Sequence, residues 1–113
     1  MKVFYVHWNE AELKEKIQPL KKAGYDVNGH WNQTEHAKFG DSLPDVFVFS
    51  LDRLPSHSKA IAEWVWEAKK RQHIPIIFEG GAEEKVPPFK QKFPKAIFVK
   101  TGKIIEALKK LKN

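Results

Sequence analysis

The segment Val46-Phe47-Val48-Phe49 constrains the fold of this chain more than any other. Two β-branched and two aromatic residues in succession read as a strand, and a strand that is apolar on both faces must be covered on both. A parallel sheet with helices packed on either side meets that requirement. The rest of the chain supplies matching parts. Lys2 to His7, Tyr25 to Asn28, Asp45 to Ser50, Ile74 to Phe78 and Ala96 to Val99 give five strand signals. Between them lie segments of helical period. Asn9 followed by Glu12 predicts a reciprocally capped helix from about Glu10 to Ala23, with Leu13, Ile17 and Leu20 inward, Gly24 closing it and Pro19 kinking it. Thr34 is placed to cap a brief helix ending near Gly40. The loop from Leu51 to His57 leads into a helix reaching about Arg71, with Ile61, Val65 and Ala68 toward the sheet. Thr101 is expected to cap a last helix whose inner face carries Ile104, Ile105, Leu108 and Leu111.

Strands and helices alternating at this spacing form βαβ units, whose crossovers are right-handed. The expected fold is therefore α/β: a flavodoxin-like three-layer sandwich with a five-stranded parallel sheet in the order 2-1-3-4-5, residues 1–113 forming one domain. In such sheets ligands bind beyond the carboxyl ends of the strands. That rule selects His7, Trp8 and Asn9, then Ser50, Asp52, Arg53 and His57, then Glu79, Gly80 and Gly81, then Lys100 and Thr101.

Composition excludes several functions. With no cysteine there is no disulfide, thiol nucleophile or thiolate metal site. No apolar run approaches the roughly 20 residues that span a bilayer, and the amino-terminal stretch has strand alternation rather than the pattern of a signal peptide, so a cytoplasmic protein without membrane contact is expected. The net charge of +6 is carried almost wholly by lysine, since only Arg53 and Arg71 are arginines. Many of the lysines fall where helices should end, where cations complement the helix dipole. Nucleic-acid binding is thus a weaker alternative, and it predicts a steep salt dependence without sequence preference.

The run Pro44-Asp45-Val46-Phe47-Val48-Phe49-Ser50-Leu51-Asp52-Arg53-Leu54-Pro55 resembles response-regulator receiver (CheY-like) domains over essentially the whole chain. Arg53-Leu54-Pro55-Ser56-His57, Ile74-Pro75-Ile76-Ile77-Phe78 and Gly80-Gly81 are also similar to a group of small bacterial receiver-like proteins. The resemblance implies a magnesium-dependent phospho-acceptor site built from an acidic pair after the first strand and an aspartate ending the third. Here His7-Trp8-Asn9 stands in place of the acidic pair and Ser50 in place of the acceptor. Glu79 or Gly80 stands where a small hydroxyl residue is expected, and only Lys100 matches. The expectation is a pseudo-receiver: no phosphotransfer, no enzyme activity, no cofactor, and action through a protein partner or a second copy of itself, by way of the last helix, the last strand and the helix bearing Trp66.

Other constellations were weighed against plainer readings. Asp52 is one loop shift from Ser50 and, with Glu79 across the strand ends, could form a carboxylate pair; the simpler reading pairs it with Arg53 or has it cap a turn. His7, His57 and Asp52 could meet as a mixed metal site, although the five histidines lack the short spacings of zinc sites. Ser56 is more simply a helix-start residue than a nucleophile beside His57. Gly80-Gly81 fits a turn as well as a phosphate-binding loop. A small-ligand binder or enzyme using His7, Ser50, Asp52, Arg53, His57 and Glu79 is the alternative function. Trp64 and Trp66, two apart on one helix, point about 200° from each other. Trp64 is assigned to the core with Ile61, Val65 and Ala68, and Trp66 to the surface. Trp8 and Trp31 should flank the mouth of the site or a sheet edge.

Overall fold

The computed structural model describes residues 1–32 and 43–112. Thr34 and the helix expected up to Gly40 lie outside them. The described residues form β1 (Lys2–Val6), α1 (Glu10–Lys22), β2 (Asp26–His30), β3 (Val46–Ser50), α2 (Pro55–Glu67), β4 (Ile76–Glu79), α3 (Val86–Lys92), β5 (Ile97–Val99) and α4 (Ile104–Lys112). All strand pairs are parallel, in the order β2-β1-β3-β4-β5. Every residue of β3 is buried, as a strand covered from both sides requires.

Strand alternation sorts the core into two unlike layers. Val3, Tyr5, Val46, Val48 and Ile77 pack with Leu13, Ile17 and Leu20 of α1 and with Ile104, Ala107 and Leu108 of α4. Phe4, Val6, Phe47, Phe49 and Phe78 point the other way, against Ala62 and Val65 of α2 and Phe89 and Phe93 of α3. That second layer is a ring cluster: Phe78 lies 5.2 to 5.8 Å from Phe49, Phe89, Phe93 and Phe98, within the range of favourable edge and offset contacts. The aliphatic layer allows closer approach. A side chain at Gly29 of β2 would strike Leu13 and Ile17, so α1 lies closer to this edge strand than a larger residue would permit.

Several expected boundaries move. Tyr25 lies in the turn that closes α1, its N–H donating to the Leu20 carbonyl at 3.1 Å, and β2 begins one residue later. The helix α1 runs on through Pro19 to Lys22. α2 starts at Pro55, not at Ser56, and ends at Glu67 rather than Arg71. Proline at the first helical position needs no hydrogen-bond partner, so Pro55 opens the helix without a side-chain cap. Helix α3 was not expected; its Pro87 and Pro88 both lie in the first turn, where proline is tolerated.

The two tryptophans of α2 are reversed from expectation. Ser58, Ala62 and Val65 form the inner face, and Trp66 packs edge-on against Phe93 at 4.9 Å. Trp64 is the exposed one, at 36 %, with the Arg71 guanidinium 3.6 Å above its ring. The reading erred by crediting Ala68, which lies beyond the helix, and by passing over the small residues Ser58 and Ala62. At about 100° per residue, Trp66 lies roughly 80° from Ser58 and Trp64 roughly 120° away on the other side.

Candidate functional site

Beyond the carboxyl ends of the strands, three polar clusters meet. The first begins at Asn9, which caps α1 by accepting the Glu12 N–H on its side-chain oxygen at 3.0 Å. The reciprocal bond expected from Glu12 is absent. The Glu12 carboxylate turns outward, to His7 Nε2 at 2.8 Å and to Arg53, which grips it through Nε at 3.1 Å and through a terminal nitrogen. Hydrogen bonds from Arg53 and then His7 lower the Glu12 pKa from 4.5 to about 2. The same contact raises that of Arg53. His7 itself is fully buried, its N–H bonded to the His30 carbonyl at 3.1 Å. An ionised Glu12 only accepts, so Nε2 carries the ring proton. The His7 Nδ1 has no hydrogen-bond partner among the described residues.

The second cluster surrounds the end of β3. Ser50 is fully buried and its hydroxyl oxygen accepts the Asp52 N–H at 3.2 Å. Its carbonyl accepts from Ser58 Oγ at 2.8 Å, and Ser58 Oγ accepts from Trp8 Nε1 at 3.0 Å. Trp8 is thereby anchored across this end, between the rings of His30 and His57 at 5.5 and 5.4 Å. Asp52 is paired neither with Arg53 nor with Glu79. One of its oxygens accepts the Gly81 N–H at 2.9 Å and the other the Thr101 hydroxyl at 2.8 Å. Thr101 is therefore a tie between loops rather than a helix cap. Gly80, at φ 76°, has to be glycine here, since a Cβ would run into the Asp52 carboxylate.

The third cluster is buried. Glu79, 1 % exposed at the end of β4, accepts from the Tyr5 hydroxyl, from the Gly102 N–H at 2.9 Å and from Lys16 Nζ at 3.5 Å. Burial, followed by the charge of Glu79, pushes the Tyr5 hydroxyl pKa well above its ordinary value of 10. Lys100 stands apart. It is exposed, its ammonium makes no ion pair with a described residue, and it lines a neighbouring cleft of about 600 Å³ with Gly80, Gly81, Lys90 and Phe98.

Magnesium needs several oxygen ligands in near-octahedral array, usually carboxylate and water. The donors among the described residues do not fit it. Both Asp52 oxygens serve loop donors, Glu12 is held by Arg53, and Glu79 faces Tyr5 and Lys16. Nor does His57 join His7: it stacks near Trp8, while His7 is bonded to Glu12. Tyr5, Lys16, Ser58 and Gly102 were not singled out from sequence, and Glu12 only as a helix-capping residue. Tyr5 did carry a signal, because a tyrosine within an apolar strand must find a partner for its hydroxyl.

No family model matches the chain, and no curated protein does. Solved structures do. The bacteriophytochrome response regulator AtBRR superposes with a TM-score of 0.71 at 15 % identity, covering 96 % of this chain and 89 % of that one. The bacteriophytochrome response regulator RtBRR gives 0.67 at 13 %, over 89 % of this chain and 69 % of its own. The N-terminal domain of a response regulator receiver protein from Methanoculleus marisnigri JR1 gives 0.67 at 12 %, over 97 % and 91 %. The fold of this chain is the receiver fold.

Proposed function

We propose that this chain is a single-domain, cytoplasmic pseudo-receiver: a signalling module that takes up no phosphoryl group, catalyses no reaction and acts by binding a protein partner or a second copy of itself. The observation that carries this reading is the state of the strand-end carboxylate. Asp52, two residues past the acceptor position, has both oxygens engaged by Gly81 and Thr101, so the loops after β3, β4 and β5 are already tied together by the unmodified protein. A phosphoryl group has neither an acceptor at Ser50 nor a metal-binding pair to bring it in.

The contact surface is drawn from β5, α4 and the cleft holding Lys90, Phe98 and Lys100. Trp66 does not belong to it, being packed on Phe93. Nucleic-acid readout is disfavoured because both arginines are engaged, Arg53 by Glu12 and Arg71 by the Trp64 carbonyl and ring.

The test is incubation with acetyl phosphate and magnesium, followed by intact mass and amide NMR. The expected result is no added phosphoryl group and no shift at Gly81 or Thr101. An acid-stable or acid-labile phosphoryl adduct at Ser50 or Asp52 would sink the reading. Affinity capture with nuclease present, together with sedimentation of the purified chain, then separates a protein partner from self-association.

A further inference from the structure

Between α1 and the start of α4 lies a cavity of about 260 Å³ on the aliphatic side of the sheet, its lining including Thr101, which also ties Asp52. Its walls are Pro19, Leu20, Ile104 and Ile105, and its floor is polar: Tyr5, Glu79 and Lys16. We infer that this cavity binds a small, neutral, single-ring compound carrying one hydrogen-bond acceptor, a carbonyl or ether oxygen received by Lys16. The inference does not depend on the pseudo-receiver reading.

Size sets the first limit. A cavity of about 150 Å³ lined by apolar side chains holds benzene, so this recess, open to solvent at its mouth, has room within it for a ring with a short substituent. The floor sets the second. Glu79 has one oxygen filled by the Tyr5 hydroxyl and Lys16 and half of the other by the Gly102 N–H, and with its side chain 2 % exposed it presents little acceptor surface to a ligand donor. The ammonium of Lys16, 21 % exposed, reaches Glu79 only at 3.5 Å and retains N–H donors beyond that contact. What the floor offers a ligand is therefore a hydrogen-bond donor.

Charge sets the third limit. With Tyr5 protonated, the charges of Glu79 and Lys16 cancel. An anionic ligand would draw Lys16 away and leave a carboxylate enclosed beside an apolar wall, while Glu15 at the rim repels it. A cationic ligand would have to displace Lys16 or lie beside it. A neutral acceptor adds a bond to Lys16 without disturbing the pair. Because Gly102 hydrogen-bonds Glu79 and leads into α4, an occupant also bears on the turn that sets the position of α4.

The probe is acetophenone, added to the full-length chain and followed by amide NMR. Saturable shifts are expected at Gly102, Ile104 and Ile105. Benzoate, the charged counterpart, is expected to bind about ten-fold more weakly or worse. Lys16→Met should abolish the preference for acetophenone over α-methylstyrene, which has the same shape and no acceptor, and Ile105→Trp should fill the space and weaken binding by about ten-fold. The proposal is overturned by the absence of saturable shifts at these residues up to the solubility limit, by benzoate binding as well as acetophenone, or by acetophenone shifts that survive Ile105→Trp. The benzoate comparison uses the unaltered protein, so it decides the matter even where a variant fails to fold.

Discussion

Glu12 and Glu79 lie at the same end of the molecule and have matching partners. Each carboxylate holds one cation and one ring-bearing side chain, Arg53 and His7 for Glu12, Lys16 and Tyr5 for Glu79. They differ in burial: the Glu12 side chain is 39 % exposed and that of Glu79 2 %. An exposed pair is screened by water and salt, so its loss is cheaper than that of an enclosed one. An enclosed one cannot be broken without stranding a charge. The two sets thus have different roles, Glu12 orienting the loop after β3 and Glu79 joining α1, β1, β4 and the turn before α4.

The sharpest way to break this contrast is to remove each cation in turn. Lys16→Met should cost about 2 to 3 kcal/mol, the low side for an enclosed pair because Lys16 still reaches water. That corresponds to a fall in Tm of roughly 10 °C by calorimetry. Next in size, Tyr5→Phe removes one donor from a buried carboxylate and should cost about 1 to 2 kcal/mol at neutral pH. It also has a pH signature. The folded state holds the Tyr5 proton far above pH 10 while the unfolded chain releases it near 10, so the stabilisation tied to this hydroxyl is complete below pH 10 and declines as the pH rises beyond it. Denaturant unfolding between neutral pH and pH 11 should therefore show a shallower alkaline decline in Tyr5→Phe than in the wild type.

Asp52→Ala should cost about 1 kcal/mol, since water can replace an exposed acceptor, but it should speed hydrogen exchange at the Gly81 amide. Unchanged exchange there would mean that Asp52 is not what ties the loops. Arg53→Gln should have the smallest effect on stability, with Tm close to the wild type. Its effect belongs to a carboxyl NMR titration, where Glu12 should move from about 2 toward its ordinary value of 4.5. The sign follows: a lowered folded value stabilises above pH 4.5, and that contribution is lost as the pH falls toward 2, a slope the variant should lack. Should Arg53→Gln and Lys16→Met prove equally costly, burial is not the difference between the two regions.

Much of the fold was legible because its signals are local and redundant. Val46 to Phe49 announced a covered strand, Asn9 and Glu12 marked the start of α1, and strand–helix alternation left one natural sheet order. The candidate site was legible by position only. The strand-end rule found Ser50, Asp52, Arg53, Glu79 and Thr101, yet Arg53 and Thr101 meet partners other than those read for them. Arg53 lies beside Asp52 in sequence but reaches Glu12, 41 residues away. Thr101 looked like a helix cap and instead reaches Asp52 across the strand ends. The tryptophans of α2 were reversed because the helix phase rested on small residues, Ser58 and Ala62, whose burial no hydropathy pattern reports.

The sequence by itself determined the parallel five-stranded order and the two apolar layers. These depend on periodicity and residue type, which the chain carries within a few residues of each position. Only the tertiary structure decided which carboxylate meets which cation, which tryptophan faces solvent and where an apolar cavity is left over a neutral floor. Those outcomes depend on side chains from four or five elements meeting within about 3 Å, a distance at which a polar group finds its hydrogen-bond partner and which no local pattern encodes.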